Sequence, residues 1–185
     1  PQEILLERLN AAAFVASPYH HPVIGWKNDL QNMTVDDLRK WYETWYTPNN
    51  AILVVVGDVK PNQVYQLAEK YFAELKSLPL PNIKPEKNIQ PLGEKHLTIS
   101  VPAQLPWLVM AYPVPVIKTD LNSSDPYVLD LIATLLSGGN SARFAKNLIR
   151  NQQIAADANA SYNPINRLNN LFLLQATPTP GHTLS

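Results

Sequence analysis

The chain of 185 residues contains no cysteine, which excludes disulfide bonds, thiolate zinc sites and cysteine nucleophiles together. Its charge has no bias either, because lysine and arginine number 15 and aspartate and glutamate also number 15. A chain without net positive charge has no field that would draw it to nucleic acid or to an anionic membrane. We therefore expect no nucleic-acid partner, and the redox compartment stays open.

Long hydrophobic runs are also missing. No stretch approaches the roughly 18 apolar residues that a membrane-spanning helix needs, so we expect no membrane span in this chain. The first residues lack the basic, apolar and small-residue regions of a signal peptide. Because the chain opens on Pro1 without a methionine and stops just after the turn-like "TPTPGH", we expect it to be a piece of a longer protein, with any targeting signal upstream.

The beginning of the chain is predicted to be helical. Residues 1–16 place apolar side chains on one face at helical spacing. Pro18 and Pro22 then interrupt this pattern, because each lacks a backbone N–H and restricts the residue before it. A second helix is predicted with Thr34 as its N-cap and Asp37 as the capping-box partner.

A strand buried on both faces is predicted for "AILVVVG" at residues 51–57, an uninterrupted apolar run rich in β-branched residues. A helix with apolar residues at helical spacing follows over residues 62–75. In the second half, one helix is predicted to begin with Asp125 as its N-cap and Pro126 in its first turn. The other predicted elements are a helix at residues 141–151 and strands at residues 96–101, 107–114, 155–162 and 170–177.

Residues 77–93 are predicted to form an interdomain linker, because they carry four prolines and little apolar periodicity. We place one domain at residues 1–80, the linker at 81–94 and a second domain at 95–185. Both halves mix helices and strands.

The adjacent pair His20 and His21 in "SPYHHPVIGW" is the most suggestive metal feature in the sequence. Zinc needs three or four ligands at fixed spacing, and adjacent residues of an extended segment point to opposite sides. His96 and His182 have no partner at helical spacing, and neither His-Glu-x-x-His nor His-x-x-Glu-His occurs. We therefore expect the pair to lie in a loop, bonded to backbone or facing solvent, and predict no metal ligand in this chain.

Three other features have a structural interpretation that outweighs the functional one. Gly138 and Gly139 precede a helix but no lysine follows where a phosphate loop requires it, so we expect them to end one helix while Asn140 or Ser141 caps the next. Capping explains the carboxylate pair at residues 36–37. The side chains Trp41, Trp45 and Tyr46 are spaced for core packing rather than for stacking on bases. We predict no catalytic residue, and the substrate-binding residues stay unknown.

Three blocks of sequence resemble the insulinase and pitrilysin family of zinc metallopeptidases, in the branch of the mitochondrial processing peptidase and its bacterial relatives. The blocks are "HPVIG" at 21–25, "MTVDDLRKWYETWYTPNNAILVVVGDV" at 33–59 and "LLSGGNSARFAKNLIR" at 135–150. The resemblance implies an α+β fold class: the end of one peptidase-type domain and most of a second, each a mostly antiparallel sheet packed with helices.

The resemblance also implies a function. Family members hold zinc with an inverted His-x-x-Glu-His motif and a later glutamate, and enclose peptides in a chamber. That motif would lie upstream of Pro1, and neither Glu3 nor Glu7 stands where the ligand glutamate belongs. Zinc is thus expected in the parent protein and not in this fragment, which we expect to be inactive alone.

Two hypotheses for the parent remain open. It is a zinc endopeptidase acting on peptides or unfolded proteins, or a catalytically inactive partner or scaffold subunit beside a homologous subunit. Because many bacterial members are exported, the resemblance implies a periplasmic or otherwise exported location.

Overall fold

The computed structural model describes residues 1–84, 89 and 93–184. Part of the predicted linker, residues 85–88 and 90–92, lies outside the described residues. The described residues form two compact units, one from Pro1–His21 and Lys87–Ser185 and the other from Pro22–Glu86. We call them unit 1 and unit 2. The predicted division at residues 80 and 95 stays a prediction.

Helices and strands both occur in the described part of the chain. The α-helices are α1 (Gln2–Ala13), α2 (Lys27–Asn32), α3 (Val35–Trp45), α4 (Pro61–Phe72) and α5 (Asp125–Ser137), and the strands are β1 (Leu108–Val114), β2 (Ala155–Ser161) and β3 (Asn170–Pro178). Short 3₁₀ turns at Pro18–His20 and Pro48–Asn50 and a π-helix at Ala145–Asn151 complete the described elements.

The sheet of unit 1 has the order β1-β3-β2, and both pairings are antiparallel. The predicted α+β fold class with an antiparallel sheet is confirmed. Pro113 lies inside the edge strand β1, opposite Leu171 of β3. Edge strands tolerate proline because an outward position needs no N–H donor.

The core of unit 1 forms where α5 packs on β2 and β3. Ala133 of α5, Ala160 of β2 and Phe172 of β3 are buried together. Phe172 also stacks on the Tyr162 ring, with centroids 6.1 Å apart. Two small alanines let the helix approach the sheet closely, so the large Phe172 ring fills the space between them.

The start of α5 differs from the prediction by one residue. Asp125 is the first helical residue, and Ser124 occupies the N-cap position without a side-chain cap bond. The hydroxyl of Ser123 accepts a hydrogen bond from the Asp125 N–H at 3.0 Å instead. The predicted capping role of Asp125 is therefore wrong, and Ser123 satisfies the exposed backbone donor.

The helix predicted at residues 141–151 begins with two α-helical residues, 143–144, and continues as a π-helix, Ala145–Asn151. Neither Asn140 nor Ser141 caps it, so that prediction is wrong. The loop to β2 contains Gln153 with a φ of 55°, a left-handed conformation that costs energy for a residue other than glycine. Its carbonyl accepts a hydrogen bond from the Thr179 hydroxyl at 2.6 Å, which helps to hold the turn.

In unit 2, the predicted capping box of α3 is confirmed. The Asp37 N–H donates to the Thr34 hydroxyl at 3.3 Å, and the Thr34 N–H donates to the Asp37 carboxylate at 2.8 Å. The bonds from Thr34 to its carboxylate hold the pKa of Asp37 below its usual value. Asp36 plays a different part, because it pairs with Arg39 on the same helix.

Two predicted strands are absent from the structure. Residues 51–57 and 96–101 have no strand partner among the residues that the structure describes, and neither segment is regular. Trp41 of α3 and Tyr46 just after it are exposed, and Trp45 is only half-buried, so the core packing predicted for these three side chains is not found. A strand needs a neighbour for its backbone, which composition alone does not supply.

Within residues 1–84, 89 and 93–184, no helix combines the length and apolar character required to cross a bilayer.

Candidate functional site

His20 is the last residue of a 3₁₀ turn, and His21 follows that turn with an extended backbone. The turn Pro18–His20 follows α1, and the Ser17 hydroxyl caps it by accepting a hydrogen bond from the Tyr19 N–H at 3.3 Å. His20 Nδ1 donates to the Phe14 carbonyl oxygen at 2.9 Å, so its ring is held against the end of α1.

The rings of His20 and His21 lie close together, with centroids 5.2 Å apart at an interplanar angle of 82°. The premise that adjacent histidines must diverge is therefore wrong, because it assumed extended backbone. No cluster of three or more His, Asp or Glu side chains suited to a metal occurs in the part of the chain that the structure describes. Two imidazoles alone do not complete a zinc site.

Tyr19 fixes this turn to the rest of unit 1. Its ring meets the buried Phe14 edge to face, with centroids 5.6 Å apart. Its hydroxyl oxygen accepts a hydrogen bond from the Leu168 N–H at 3.2 Å, in the loop between β2 and β3. The histidine turn is thus anchored through packing and one long-range hydrogen bond.

The glycine pair ends α5, as predicted. The Gly138 N–H donates to the Thr134 carbonyl at 2.7 Å, and a Cβ at this position would lie only 2.5 Å from the same oxygen. Gly139 follows with a φ of 110°. Arg150 of the π-helix donates to the Asn140 carbonyl at 2.6 Å, which closes the loop. The close approach of the Thr134 carbonyl to Gly138 and the positive φ of Gly139 therefore explain why glycines stand here, and no phosphate-binding role is needed.

Ser137, the last residue of α5, makes a contact that the sequence did not reveal. Its hydroxyl donates to the Ala160 carbonyl at 2.9 Å and accepts from the Ala160 N–H at 3.0 Å. Ala160 is in the edge strand β2, so this single side chain satisfies both backbone groups where a neighbouring strand would otherwise bond. Nothing local distinguishes Ser137 from other helical serines, because its partner is 23 residues away.

Tyr162, just after β2, has a similar anchoring role. Its hydroxyl donates to the Pro115 carbonyl at 2.6 Å. Burial, with a smaller contribution from the charge of Asp130, raises the pKa of Tyr162 above its ordinary value of 10.0. The hydroxyl therefore keeps its proton and remains a donor at neutral pH.

An open groove of about 950 Å³ lies on unit 1, and we call it the α1–β1 groove because residues 99–107, which lead into β1, form part of it. Its walls come from the first turns of α1, from residues 99–107 and from Thr177 of β3. Ile99, Leu105 and Trp107 provide apolar surface, while Glu3 provides a carboxylate. The lining of the groove therefore combines apolar and charged side chains.

Unit 2 has a smaller groove of about 430 Å³, which we call the aromatic groove. Its walls include Trp41 and Trp45 of α3, Tyr46 just after the helix, and Ala51 and Ile52. The Asn50 side chain donates to the Trp45 carbonyl at 2.9 Å and fixes the chain at the end of the helix. The side chains of this groove can make stacking and apolar contacts, and none of its lining residues is a carboxylate, a histidine or a lysine.

The antiparallel sheet and the helix α5 packed on it define unit 1 as an α+β domain. The family described as the peptidase M16 inactive domain matches residues 32–185. The chain belongs to this family, and the predicted resemblance to insulinase-type zinc peptidases is confirmed.

The sequence relatives include proteins named as peptidases. The chain is 33% identical over 163 residues to the zinc protease PqqE of Helicobacter pylori, covering 85% of this chain and 35% of that protein. It is 34% identical over 74 residues to a mitochondrial-processing peptidase subunit beta of Lentinula edodes, covering 40% of this chain and 16% of that protein. It is also 35% identical over 74 residues to cytochrome b-c1 complex subunit 1 of Caenorhabditis elegans, covering 40% of this chain and 16% of that protein.

Solved structures agree with this assignment. A crystal structure of a protease from Helicobacter pylori matches with a TM-score of 0.80 and 30% identity, covering 98% of this chain and 44% of that one. A peptidase M16 inactive domain from Pseudomonas fluorescens has a TM-score of 0.73 at 18% identity, covering 96% and 42%, which shows a shared fold. The chain thus spans about a third of the length of the PqqE protein and less than half of either solved chain.

Proposed function

We propose that this chain is part of a zinc-dependent endopeptidase that cleaves peptides or unfolded proteins in an enclosed chamber. The observation that carries the proposal is the 33% identity to the zinc protease PqqE over 85% of this chain. The zinc motif then belongs to residues upstream of Pro1. In this proposal the chain supplies a wall of the chamber and no zinc ligand.

The test begins with the purified parent protein. Its zinc content is measured by atomic emission, and cleavage of an unfolded protein is followed with and without a chelator. Stoichiometric zinc and chelator-sensitive cleavage support the endopeptidase. A parent without His-x-x-Glu-His upstream of this chain, or without zinc and cleavage, would sink the proposal.

The histidine pair gives a separate test within this chain. We expect that the double variant His20→Ala and His21→Ala leaves the zinc content of the parent unchanged, because the pair does not form the family's zinc site. We also expect the 185-residue chain alone neither to bind zinc stoichiometrically nor to cut peptides. Loss of zinc in the double variant, or zinc binding by the chain alone, would place a ligand here and contradict the proposal.

A second candidate is a catalytically inactive partner or scaffold subunit of a heterodimeric peptidase. The match to a family described as an inactive domain, and the similarity to a subunit of the cytochrome b-c1 complex, favour this alternative. It predicts a parent without zinc that copurifies with a homologous subunit. Mass spectrometry of the native complex distinguishes it from the endopeptidase.

We propose an exported, periplasmic location for the parent, supported by the likeness to bacterial family members and compatible with the absence of cysteine. Cell fractionation with a periplasmic and a cytoplasmic marker tests it. Recovery of the parent with the cytoplasmic marker would refute it.

A further inference from the structure

The chain leaves α4 through an irregular segment that is hydrogen-bonded at one residue. The Leu75 N–H still donates to the Phe72 carbonyl at 3.1 Å, and residues 76–84 then form neither helix nor strand. Within the described part of the chain, Leu78 is the one residue of this segment that makes hydrogen bonds, and it uses both its N–H and its C=O. The segment is therefore bonded to unit 2 at a single point.

The partners of Leu78 are Thr47 and Asn49, which flank Pro48 shortly after the end of α3. Pro48 begins the 3₁₀ turn Pro48–Asn50, because its fixed φ suits the first helical position, and Thr47 precedes the turn with an extended backbone. The turn brings the two side chains together, so the Thr47 hydroxyl donates to Asn49 Oδ1 at 2.5 Å. Thr47 is only 3% exposed, so its hydroxyl is shielded from water.

The hydrogen bonds to Leu78 give each polar atom of the two side chains one role. The Leu78 N–H is shared between the Thr47 hydroxyl oxygen at 3.2 Å and Asn49 Oδ1 at 3.3 Å. The Asn49 Nδ2 donates to the Leu78 carbonyl at 2.9 Å. An amide side chain offers an acceptor and a donor side by side. Asn49 therefore bonds to both backbone groups of Leu78, as a neighbouring strand would.

Lys95 makes a corresponding attachment on unit 1. Its Nζ donates to the Ala12 carbonyl at 2.7 Å, in the last turn of α1. A cation is favourable there, because the last carbonyls of a helix have no partner within the helix and carry the negative end of its dipole. The attachments at Leu78 and Lys95 leave residues 79–94 between them.

We propose that Thr47 and Asn49 form a clamp that fixes the point at which the chain leaves unit 2, so that the connection to unit 1 begins at Pro79. Residues 76–78 make no other hydrogen bond among the described residues, so releasing Leu78 would add them to the connection and extend its reach by about 10 Å. The cost of closing a loop depends only weakly on its length. The clamp therefore determines where the chain leaves unit 2, and it does so in an active and in an inactive parent alike.

Hydrogen exchange at the Leu78 amide, followed by NMR on the 185-residue chain, tests the clamp. We expect this amide to exchange at least about 10-fold more slowly than the amide of Ser77, which has no partner among the described residues. Thr47→Val and Asn49→Ala should each speed exchange at Leu78, and the double variant should bring it to the rate of Ser77, while the amides of α4 keep their protection. Equal exchange of Leu78 and Ser77 in the wild type overturns the proposal. Acceleration that is as large in α4 as at Leu78 also overturns it, because unit 2 would then have opened as a whole.

Tryptic cleavage after Lys76 gives a second measurement, because proteolysis follows the population of the opened segment. We expect this cleavage to be at least about 10-fold faster in the double variant than in the wild type, with cleavage after Arg167 in unit 1 unchanged. Thr44→Val and Asn62→Ala are the matched controls. The Thr44 hydroxyl bonds only within α3 and Asn62 is exposed on α4, so both controls should leave the two rates unchanged. A double variant cleaved no faster after Lys76 than the wild type, or controls cleaved as fast as the double variant, contradicts the clamp.

Discussion

Ser137 permits a quantitative test of how α5 is attached to the sheet. Its hydroxyl is the only described partner of both the N–H and the C=O of Ala160 on the outer side of β2, at 3.0 Å and 2.9 Å. Ala160 is 6% exposed, so water does not readily replace the lost contacts in Ser137→Ala. Each hydrogen bond contributes about 0.5–1.5 kcal/mol, and a buried donor left without a partner costs about 1–3 kcal/mol.

Taken together, these terms predict that Ser137→Ala lowers the free energy of unfolding of unit 1 by about 2 kcal/mol. For a chain of this size, that corresponds to a fall of roughly 4–8 °C in the melting temperature. Urea titration and thermal melting followed by circular dichroism measure both quantities. Ser161→Ala is the matched control, because it removes a hydroxyl from the same strand without disturbing Ala160.

The result that would refute this reasoning is a Ser137→Ala variant as stable as the wild type within about 0.5 kcal/mol, the range of ordinary surface substitutions. An equal loss in Ser161→Ala would also refute it, since the effect would then belong to serine in general. A larger loss in Ser137→Ala alone attributes the stability to the bridge between α5 and β2.

Three further substitutions test other parts of the structure. Gly138→Ala should destabilise unit 1 by about 1–3 kcal/mol in urea titration, because its Cβ would lie 2.5 Å from the Thr134 carbonyl; no loss would show that the helix end relaxes freely. Phe172→Ala should cost about 3–5 kcal/mol by the same measurement, since the ring fills the core; a loss below 1 kcal/mol would contradict that packing. The pKa of Asp37 is depressed because its carboxylate accepts hydrogen bonds from Thr34, so these bonds stabilise α3 fully at any pH above the ordinary pKa of 3.8. The stabilisation is lost as the pH falls through the depressed pKa. Helix content measured against pH should therefore show this acid-sensitive step in the wild type and lack it in Asp37→Asn; identical profiles would refute it.

Features determined by neighbouring residues were predictable from the sequence. The capping box of Thr34 and Asp37 spans four residues, and its two hydrogen bonds need nothing else. The strands β1, β2 and β3 were predicted close to their observed positions, because the runs of β1 and β3 are mostly apolar and the run of β2 alternates alanine with polar residues. The N-cap of α5 was misplaced by one residue, since Ser123, Ser124 and Asp125 are all good capping residues.

Features that depend on distant residues were not predictable. Residues 51–57 have the composition of a buried strand, but pairing requires a second strand that composition cannot locate. The α1–β1 groove combines α1, residues 99–107 and Thr177, three parts of the chain far apart in sequence. The closeness of His20 and His21 depended on a 3₁₀ turn, whereas the prediction assumed extended backbone.

The proline in β1 has a consequence for the behaviour of the chain in solution. Pro113 removes a donor from one edge strand of the sheet, and Ser137 occupies backbone groups at the other, so neither edge readily recruits a foreign strand. Residues 52–56 of unit 2 are apolar and exposed and have no such protection, and a net charge of zero at pH 7 provides little colloidal repulsion. Precipitation of the isolated chain should therefore begin at this segment, and a charged residue introduced there should improve its solubility.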